Sequence, residues 1–526
     1  MFNQRPFILK NYQFFLLLFC VILFGTTAVF LGQDNNWDLR DYHFYNGYAL
    51  IHFHLLTQNI MPAMVQTYIN PFFDVLNYLA IAIQNPPITK FLLGSFSGLC
   101  CFFTYKIAIA LFTNLPTKQQ IVYALLAVII GATGSLSIGL IGTTTNDTKM
   151  TLLILVSLYF LIKAMSSEKP SSEEWYLILA GLLIGLNVAL KLPAFCYAIG
   201  LSIGLLFAKR WCLRHFYHFV MFTICIVLGF LLANGYWMYF LNHHFDNPLF
   251  PYYNTLFHSP YAPLKTYKDP NFYQQHLFTL PFYIAKGEAT SVSDAPLQDL
   301  RLAILYVAVI IFLIKSLYQK LIIRNSIVST SIGDRRPWLL ITCTAIVSYL
   351  VWFYNFSIYR YVLPIELIIG VFFTYIICDF FKSTVVRIGI LIALIAIFTL
   401  STSYPNWGRI SSGKQFFFVE TPALPKDSTV LFLSAPLAYT IPFFSSDTRF
   451  IGVPFYIGSN TISDRIFRKL KGSLFSLQFL NSDSTELASK KILMKYGILN
   501  QNKECYIMNT NIGDKLKLCP LIMQKP

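Results

Sequence analysis

Residues 34–56 read DNNWDLRDYHFYNGYALIHFHLL and directly follow an uncharged apolar run, QFFLLLFCVILFGTTAVFLG, at 13–32. The run has the length of roughly 20 residues that an α-helix needs to cross a bilayer. Three carboxylates, Asp34, Asp38 and Asp41, then occur within eight positions. The spacing of the residues behind them predicts a helix in the membrane interface, with its apolar face down and its carboxylates facing water. A solvated loop with an aromatic anchor is the alternative.

The composition is typical of a protein that crosses the membrane many times. Of the 526 residues, 56% are hydrophobic and 12% are charged, whereas soluble domains have about 25% charged residues. The net charge of +16 does not indicate nucleic-acid binding, because most Lys and Arg residues lie in short loops between apolar runs. No nucleic-acid partner is therefore expected, and the partner that the composition implies is the lipid bilayer.

Eleven apolar runs predict about eleven transmembrane helices, at 13–32, 88–112, 119–141, 149–165, 175–191, 193–208, 216–241, 301–318, 337–355, 358–381 and 385–402. Lys and Arg cluster in alternate loops, which places the N-terminus in the cytoplasm and the tail outside. Residues 72–84 contain Asp74 and Asn77 and are too short for an easy crossing. We assign them to the first outer loop, 33–87, as an interfacial or re-entrant helix.

Polar residues gather at the outer ends of the spans. Asn146 and Asp147 end a GTTTND turn before the fourth span, although residues of these types also cap ordinary helices. Lys191 ends a span on the same side, where snorkelling to the interface is the simplest interpretation. Arg360 begins a span from that side and can pair with a headgroup phosphate or with the phosphate of one bound lipid.

The second long outer loop, 242–300, begins NHHFDNPLFPYYN. Its Pro, aromatic and amide residues predict a structured loop on the bilayer surface rather than a flexible linker. His243 and His244 are candidate metal ligands, as are Asp38 and Asp147, although adjacent surface histidines more often bind no metal.

The composition after Ser403 becomes that of a soluble domain, so we divide the chain into a membrane domain, 1–402, and a small external α/β domain, 403–526. Short buried strands are predicted at 428–434, 449–455 and 472–480, and amphipathic helices at 462–471 and 484–497. Cys505 and Cys519 lie symmetrically about Ile512. An antiparallel hairpin that turns near 511–514 would bring them close enough for a disulfide in an oxidising compartment.

Five motifs resemble those of bacterial integral-membrane glycosyltransferases of the GT-C superfamily, which are similar in plan to protein mannosyltransferases and aminoarabinose transferases. They are WDLRDYHFYNGYAL after the first span, TND before the fourth, GLNVALKLPA, FDNPLFPYYN and IYRYVLP, and the likeness spans most of 13–402. The resemblance implies a GT-C-like helical fold in the bacterial inner membrane and a polyprenyl-phosphate-linked sugar donor. It also implies an outward-facing active site with an essential Asp in the first outer loop.

Two aspartates compete for that essential position. The pattern WD-x-x-x-YH-x-YN favours Asp38, whereas the spacing to Ala49 in the pattern D-x-x-x-Y-x-x-x-A favours Asp41. The related transferases have an acidic residue beside their Asp, where this chain has Tyr42. We therefore prefer Asp38 as the general base that deprotonates the acceptor hydroxyl in an inverting transfer.

The other candidate roles follow from the chemistry of a phosphate leaving group. Arg360 and Lys191 are the main candidates to bind it, with Arg40 and Lys149 as lesser ones. Asp147 is expected to steady the acceptor or to help hold a divalent cation such as Mg²⁺ or Mn²⁺. Further candidate substrate contacts are Tyr42, His43, Tyr45, Asn146 and Asn247.

Two other classes use lipid-linked substrates. An O-antigen ligase or polymerase would place its key Arg and His residues in a large late loop and would lack an acidic cluster after the first span. A flippase or transporter would need ionisable groups at mid-depth, where this chain has mainly Glu366 and Asp379. The acceptor of a glycosyltransferase, whether glycolipid, polysaccharide or protein, stays open.

Overall fold

A computed structural model describes residues 7–208, 212–264, 272, 276–321, 332–456, 466–470, 472–481, 484–501 and 504–524. Within these residues, nine helices are long and apolar enough to cross a membrane. They are α1 (Phe7–Leu31), α5 (Pro86–Leu111), α8 (Asp147–Met165), α9 (Pro170–Leu190), α11 (Leu213–Phe245), α14 (Arg301–Leu321), α15 (Arg335–Asn355), α16 (Leu363–Phe380) and α17 (Thr384–Ser401). The remaining two predicted spans form the shorter apolar helices α6 (Thr117–Ala132) and α10 (Phe195–Ala208).

The predicted span 119–141 is interrupted rather than continuous. Helix α6 ends at Ala132, and a separate short helix, α7 (Ser135–Gly139), follows it. The carboxylate of Glu366 accepts hydrogen bonds from the backbone N–H groups of Leu136 (3.2 Å) and Ser137 (2.7 Å). A buried carboxylate from α16 thus satisfies the free donors at the start of α7, which stabilises the break.

The first outer loop is built from several short helices: a π-helix (Leu39–His43), α2 (Phe44–Ile51), α3 (Leu55–Gln58), a 3₁₀ turn (Met64–Tyr68) and α4 (Phe72–Ala82). The prediction of an interfacial helix with its carboxylates in water is wrong for this segment. Asp34 and Asp41 are buried, and so is Phe44, whose ring lies 5.0 Å from that of Phe417 in the tail. The tail therefore covers the aromatic side of the loop, whereas Asp34 is bonded to Thr144 of the GTTTND turn.

Helix α4 fits the predicted interfacial helix. One face exposes large apolar side chains, Phe72, Leu76, Leu79 and Ile83. The opposite face buries Asp74 and Asn77 against the protein. An apolar face left outside and a polar face turned inward is the arrangement expected of a helix that lies on the membrane surface while its polar side chains serve the interior.

The tail forms one mixed sheet of strands β1 (Thr429–Phe432), β2 (Arg449–Gly452), β3 (Leu474–Phe479), β4 (Ile498–Asn500), β5 (Tyr506–Asn509) and β6 (Lys515–Met523). The order is β2-β1-β3-β6-β4, and β5 also pairs with β6. Strands β1, β2 and β3 are parallel, whereas β6 is antiparallel to its neighbours. The first three strands and helix α18 (Ser484–Lys495) agree with the sequence predictions, whereas the predicted helix at 462–471 lies mostly outside the described residues.

The tail and the first outer loop share one hydrophobic core, which is separate from the core between the spans. Ile60 of the loop forms a parallel bridge with Ile451 of β2. Its backbone N–H donates to the carbonyl of Phe450 (2.9 Å), and its carbonyl accepts from Gly452 (2.9 Å). The loop therefore continues the edge of the tail's sheet, so the tail and the loop that carries the candidate base are positioned together.

Candidate active site

The guanidinium of Arg360 is the centre of a charged cluster where the first outer loop meets the ends of the spans. Its Nη1 lies 2.7 Å from Asp38, and its Nε lies 3.4 Å from Asp294 and 3.9 Å from Asp147. The side chain of Arg360 is 10% exposed and that of Asp38 is 18% exposed. Three carboxylates from distant parts of the chain thus surround one partly accessible cation.

Lys191 brings a second cation to the same cluster. Its Nζ lies 2.7 Å from Asp147, whose side chain is fully buried, and it also donates to the carbonyl of Thr145. Helix α9 ends at Leu190, shortly before Pro193, which has no N–H with which to continue the α-helical hydrogen bonding. Lys191 therefore has an extended backbone at the helix end, from which its ammonium reaches Asp147.

The two candidate bases have different environments. Burial raises the pKa of Asp38, but the charges of Arg360, His43 and Lys191 outweigh it and hold this pKa below its usual value. Asp41 is fully buried, and within the described part of the chain neither of its carboxylate oxygens has a hydrogen-bond partner. Burial, and then the charge of Asp38, raise the pKa of Asp41 well above its usual value. Asp38 is thus the ionised and accessible carboxylate of the pair.

The π-helix at Leu39–His43 places the carboxylate of Asp38 beside Arg360. Asp38 precedes the helix at Leu39–His43, which continues without a break into α2. Single π-turns inside helices are rare and often occur at functional sites, since they insert one residue and re-aim the side chains before them. The side chain of Asn36 accepts a hydrogen bond from the Leu39 N–H (2.8 Å), which fixes the beginning of the turn.

A buried network anchors the other end of the π-helix. His43 Nδ1 lies 2.6 Å from the carboxylate of Asp74, which also accepts a hydrogen bond of 2.6 Å from Asn146. Lys149 donates to the side-chain oxygens of Asn77 (2.7 Å) and Asn146 (2.8 Å). The predicted contacts His43, Asn146 and Lys149 therefore belong to one network that ties α4 and α8 to the candidate catalytic turn.

Gly47 explains how α4 comes close enough to join this network. A Cβ atom at Gly47 would overlap the backbone carbonyl of Asp74 and the side chain of Tyr78. Any larger residue would push α4 away from α2 and draw the Asp74 carboxylate away from His43. The sequence NGY in the middle of a helix, where Gly normally costs stability, marks this close approach.

Asp34 has a structural role, because it joins the first outer loop to the GTTTND turn. Its Oδ2 accepts hydrogen bonds from the backbone N–H (3.0 Å) and the hydroxyl (2.7 Å) of Thr144 in the GTTTND turn. It also accepts from Asn36 (2.7 Å). These bonds hold the turn that presents Asp147 against the loop that presents Asp38.

No protein-family model matches the sequence, and no curated protein matches it significantly. Solved structures do match the fold. ArnT from Cupriavidus metallidurans, in the apo state, aligns with a TM-score of 0.55 at 9% identity, over 97% of this chain and 98% of its own. The same values hold for ArnT bound to undecaprenyl phosphate. The apo oligosaccharyltransferase of Archaeoglobus fulgidus aligns with a TM-score of 0.51 at 12% identity, over 96% of this chain and 74% of its own. The chain has the GT-C fold.

Several predicted site residues face other partners. Arg40 pairs with Asp514 of the tail at 3.1 Å. Tyr45 is buried, and its hydroxyl accepts a hydrogen bond from Asn59 (3.1 Å). Asn247 bonds within its own turn, to Leu249 and Tyr252. These three side chains contact the loops and the tail and do not touch Arg360.

The candidate metal ligands do not converge either. His243 and His244 lie in the last turn of α11, where they are exposed. The ring of His243 stacks on Tyr239, and that of His244 lies 4.6 Å from the ring of Phe240. Among the described residues, no group of three His, Cys, Asp or Glu side chains has the geometry of a metal site. Asp38 and Asp147 are paired with Arg360 and Lys191 instead. The divalent cation stays a prediction.

Tyr42 remains close to the cluster. Its ring centroid lies 4.1 Å from that of His43, and the side chain is 9% exposed. Burial, followed by the charge of Asp38, raises its pKa well above the usual value, so the hydroxyl stays protonated as a hydrogen-bond donor. A neutral phenol next to a carboxylate is suited to hold a sugar hydroxyl.

Two residues of the cluster were not found from the sequence. Asp294 comes from the end of the second outer loop, in SVSDAP, where nothing in the local pattern sets it apart from an ordinary turn residue. Trp407 follows the last span, and its ring lies 6.0 Å from the guanidinium of Arg360. Its carbonyl accepts from the N–H of Asn35 (3.2 Å), which holds it over the first loop. An aromatic face near Arg360 adds cation–π attraction and shields the cation from water.

Proposed function

We propose that this protein is an integral-membrane glycosyltransferase that moves a sugar from a polyprenyl-phosphate-linked donor to an acceptor hydroxyl with inversion. The acceptor would be a glycolipid, a polysaccharide or a protein. The observation that carries the proposal is the meeting of Arg360 and Lys191 with Asp38 and Asp147 at the membrane boundary. These residues supply the two things that such a transfer needs, an accessible carboxylate and a paired cation site for phosphate.

The cations would act on the leaving group. In the transfer, the acceptor oxygen attacks the anomeric carbon while the bond from that carbon to the phosphate oxygen breaks. The donor is a phosphodiester with one negative charge, and the polyprenyl phosphate that leaves carries two. Arg360 and Lys191 lie in a largely buried site, where their attraction for the developing charge is stronger than in water.

Asp38 would take the proton from the acceptor hydroxyl. In the structure its carboxylate is paired with Arg360, which holds its pKa low and makes it a weak base. A donor phosphate that bonds to Arg360 would compete with Asp38 for the guanidinium. Release from Arg360 raises the proton affinity of Asp38, so donor binding and activation of the base would be coupled.

The comparisons support this class of donor. The ArnT structure was solved with undecaprenyl phosphate bound, and its fold covers 97% of this chain. A polyprenyl chain needs an apolar surface beside a phosphate site, and Arg360 precedes a membrane-spanning helix directly. The shared fold and the position of the cations are therefore consistent with a lipid phosphate.

The proposed location is the bacterial inner membrane, with a cytoplasmic N-terminus and a periplasmic tail. The distribution of Lys and Arg among the loops supports this orientation. Reporter fusions at 165, 330 and 410 test it. The first two should report the cytoplasm and the last the periplasm, and a cytoplasmic signal at 410 would overturn the orientation.

The charged residues within and beside the spans do not favour a transporter. Glu366 bonds to the start of α7, and Arg301 pairs with Asp299 at 2.9 Å. Asp379 pairs with Lys315 at 2.7 Å. Each of these groups is engaged with a fixed partner in the structure, which suits a role in packing the helices.

Transfer can be tested with purified protein in nanodiscs. Undecaprenyl-phosphate hexoses and pentoses are supplied with an envelope extract that contains glycan, lipid and protein acceptors, and release of undecaprenyl phosphate is measured. Binding of undecaprenyl phosphate is measured separately for Arg360→Ala, with Arg336→Ala as the matched control, since Arg336 is 52% exposed and pairs with Asp334. Loss of binding in Arg360→Ala alone supports the proposal. Equal binding by wild type and Arg360→Ala would exclude the phosphate role.

A further inference from the structure

Arg40 joins the candidate catalytic turn to the tail. It lies in the π-helix, two residues after Asp38, and its Nη1 donates to both carboxylate oxygens of Asp514, at 3.2 and 3.1 Å. The side chains of Arg40 and Asp514 are 20% and 16% exposed. An ion pair this far from solvent is screened less than a surface pair, and both oxygens of the carboxylate share the same donor.

The tail presents Asp514 on a fixed hairpin, which we define as residues 505–519. Strands β5 and β6 form its two sides, and the disulfide between Cys505 and Cys519 closes its base. At its tip, the carbonyl of Asp514 accepts hydrogen bonds from the N–H (3.2 Å) and the hydroxyl (3.0 Å) of Thr510. Gly513 supplies the positive φ of 90° that the turn requires.

Two further contacts orient this tip. The hydroxyl of Tyr439 donates to Asp514 Oδ2 at 2.6 Å, and Tyr439 is itself buried. Asn511 donates to the carbonyl of Gln415 (2.8 Å) and accepts from the N–H of Phe418 (2.8 Å). The carboxylate of Asp514, which pairs with Arg40, is thus kept in place by strand β6, by the turn and by the hydroxyl of Tyr439.

We infer that Asp514, supported by Tyr439 and acting through Arg40, is a positioning residue for the candidate base Asp38; this rests on the proposed function. The π-turn is bonded to Asp74 through His43 on one side and to Asp514 through Arg40 on another. A π-turn is less stable than an α-turn, so tertiary contacts must maintain it. Relaxation to α-helical geometry would remove the inserted residue and rotate Asp38 by roughly 100° relative to α2, away from Arg360.

This role differs from a direct contact with the donor. Arg360 and Lys191 are placed by the spans, whereas Arg40 is paired with the tail. Loss of Asp514 should therefore disturb the base while leaving the phosphate site in place. The kinetic signature is a fall in kcat with little change in the KM for the donor, since only the step that needs the base is affected.

The test uses the full-length protein in nanodiscs and the undecaprenyl-phosphate sugar that the wild type turns over in the transfer assay. Asp514→Asn and the milder Tyr439→Phe are compared with Glu504→Gln, which changes an exposed carboxylate just before the same hairpin. We expect kcat to fall roughly 10- to 100-fold in Asp514→Asn, the range for a misplaced catalytic group. A smaller fall is expected in Tyr439→Phe, and none in Glu504→Gln.

A charge swap separates positioning from general damage to the fold. The double variant Arg40→Asp with Asp514→Arg restores the ion pair with reversed polarity, so its kcat should exceed that of both single variants. The inference is overturned if Asp514→Asn matches Glu504→Gln, if the swap gives no recovery, or if the donor KM rises while kcat is kept. Wild-type turnover by both Asp38→Asn and Asp41→Asn would instead overturn the proposed function, and both variants are measured in the same series.

Discussion

Replacing Asp38 by Asn separates catalysis from stability at the proposed base. The amide retains an oxygen that can accept the hydrogen bond from Arg360 Nη1, now at 2.7 Å, but it loses the negative charge. Arg360 keeps Asp294 and Asp147 as neighbours. Because the hydrogen bond persists and two carboxylates still face Arg360, the free energy of unfolding should fall by only about 1 kcal/mol.

The loss of turnover should be much larger. An amide cannot take the proton from the acceptor hydroxyl, and removal of a general base lowers the rate by roughly 10²- to 10⁴-fold. That range corresponds to about 3 to 5 kcal/mol of activation free energy. Asp41→Asn should have little effect on turnover, because the raised pKa of Asp41 favours its neutral form, which the amide resembles.

The assay is sugar transfer in nanodiscs at matched protein concentrations, with thermal melting of each variant measured in parallel. The two variants make the same chemical change three residues apart, so they control for each other. Near wild-type turnover in Asp38→Asn would refute the assignment of the base. A loss confined to Asp41→Asn, with an unchanged melting temperature, would move the base to Asp41.

Three further predictions test the electrostatics and the tail. The pKa of Asp41 is raised in the folded state, so wild type should lose stability as the pH rises above about 4, the pKa of an Asp side chain in the unfolded chain. Asp41→Asn should therefore melt at a higher temperature than wild type at pH 7, and the difference should vanish near pH 4. Lys191→Met leaves the buried carboxylate of Asp147 without its 2.7 Å partner and should cost about 3 to 5 kcal/mol in melting experiments, most of which the added change Asp147→Asn should recover. Replacing Cys505 and Cys519 by Ser opens a loop with a sequence separation of 14 and should cost the tail about 3 kcal/mol; peptide mapping that finds both thiols free in wild type would contradict the pairing.

Features that depend on local composition could be predicted from the sequence. The length of an apolar run decides whether a helix can cross a bilayer, and nine of the predicted spans are long helices. The strands of the tail and the pairing of Cys505 with Cys519 follow from short patterns in the same way. The break between α6 and α7 could not be predicted, because the group that stabilises it, Glu366, lies more than 200 residues away.

The candidate site likewise contains residues that could be predicted from the local sequence and residues that could not. Asp38, Asp147, Lys191 and Arg360 were each found because a polar residue beside an apolar run is conspicuous. Asp294 was missed because it lies in a polar loop, where a carboxylate has no such contrast. The burial of Asp41 could not be predicted either, since the loop that carries it shares a core with a tail distant in the sequence.

The proposed donor site contains more carboxylates than cations, namely Asp38, Asp147 and Asp294 against Arg360 and Lys191, and the geometry suggests how it would still accept a phosphate. Burial, together with the charges of Asp38 and Asp147, raises the pKa of Asp294 even though Arg360 lowers it. Asp294 therefore takes up a proton more readily than Asp38 when another negative charge arrives. Its protonation and the release of Asp38 would free two sides of Arg360, Nε and Nη1. The carboxylates would then hold the cation ready without competing for it once the donor binds.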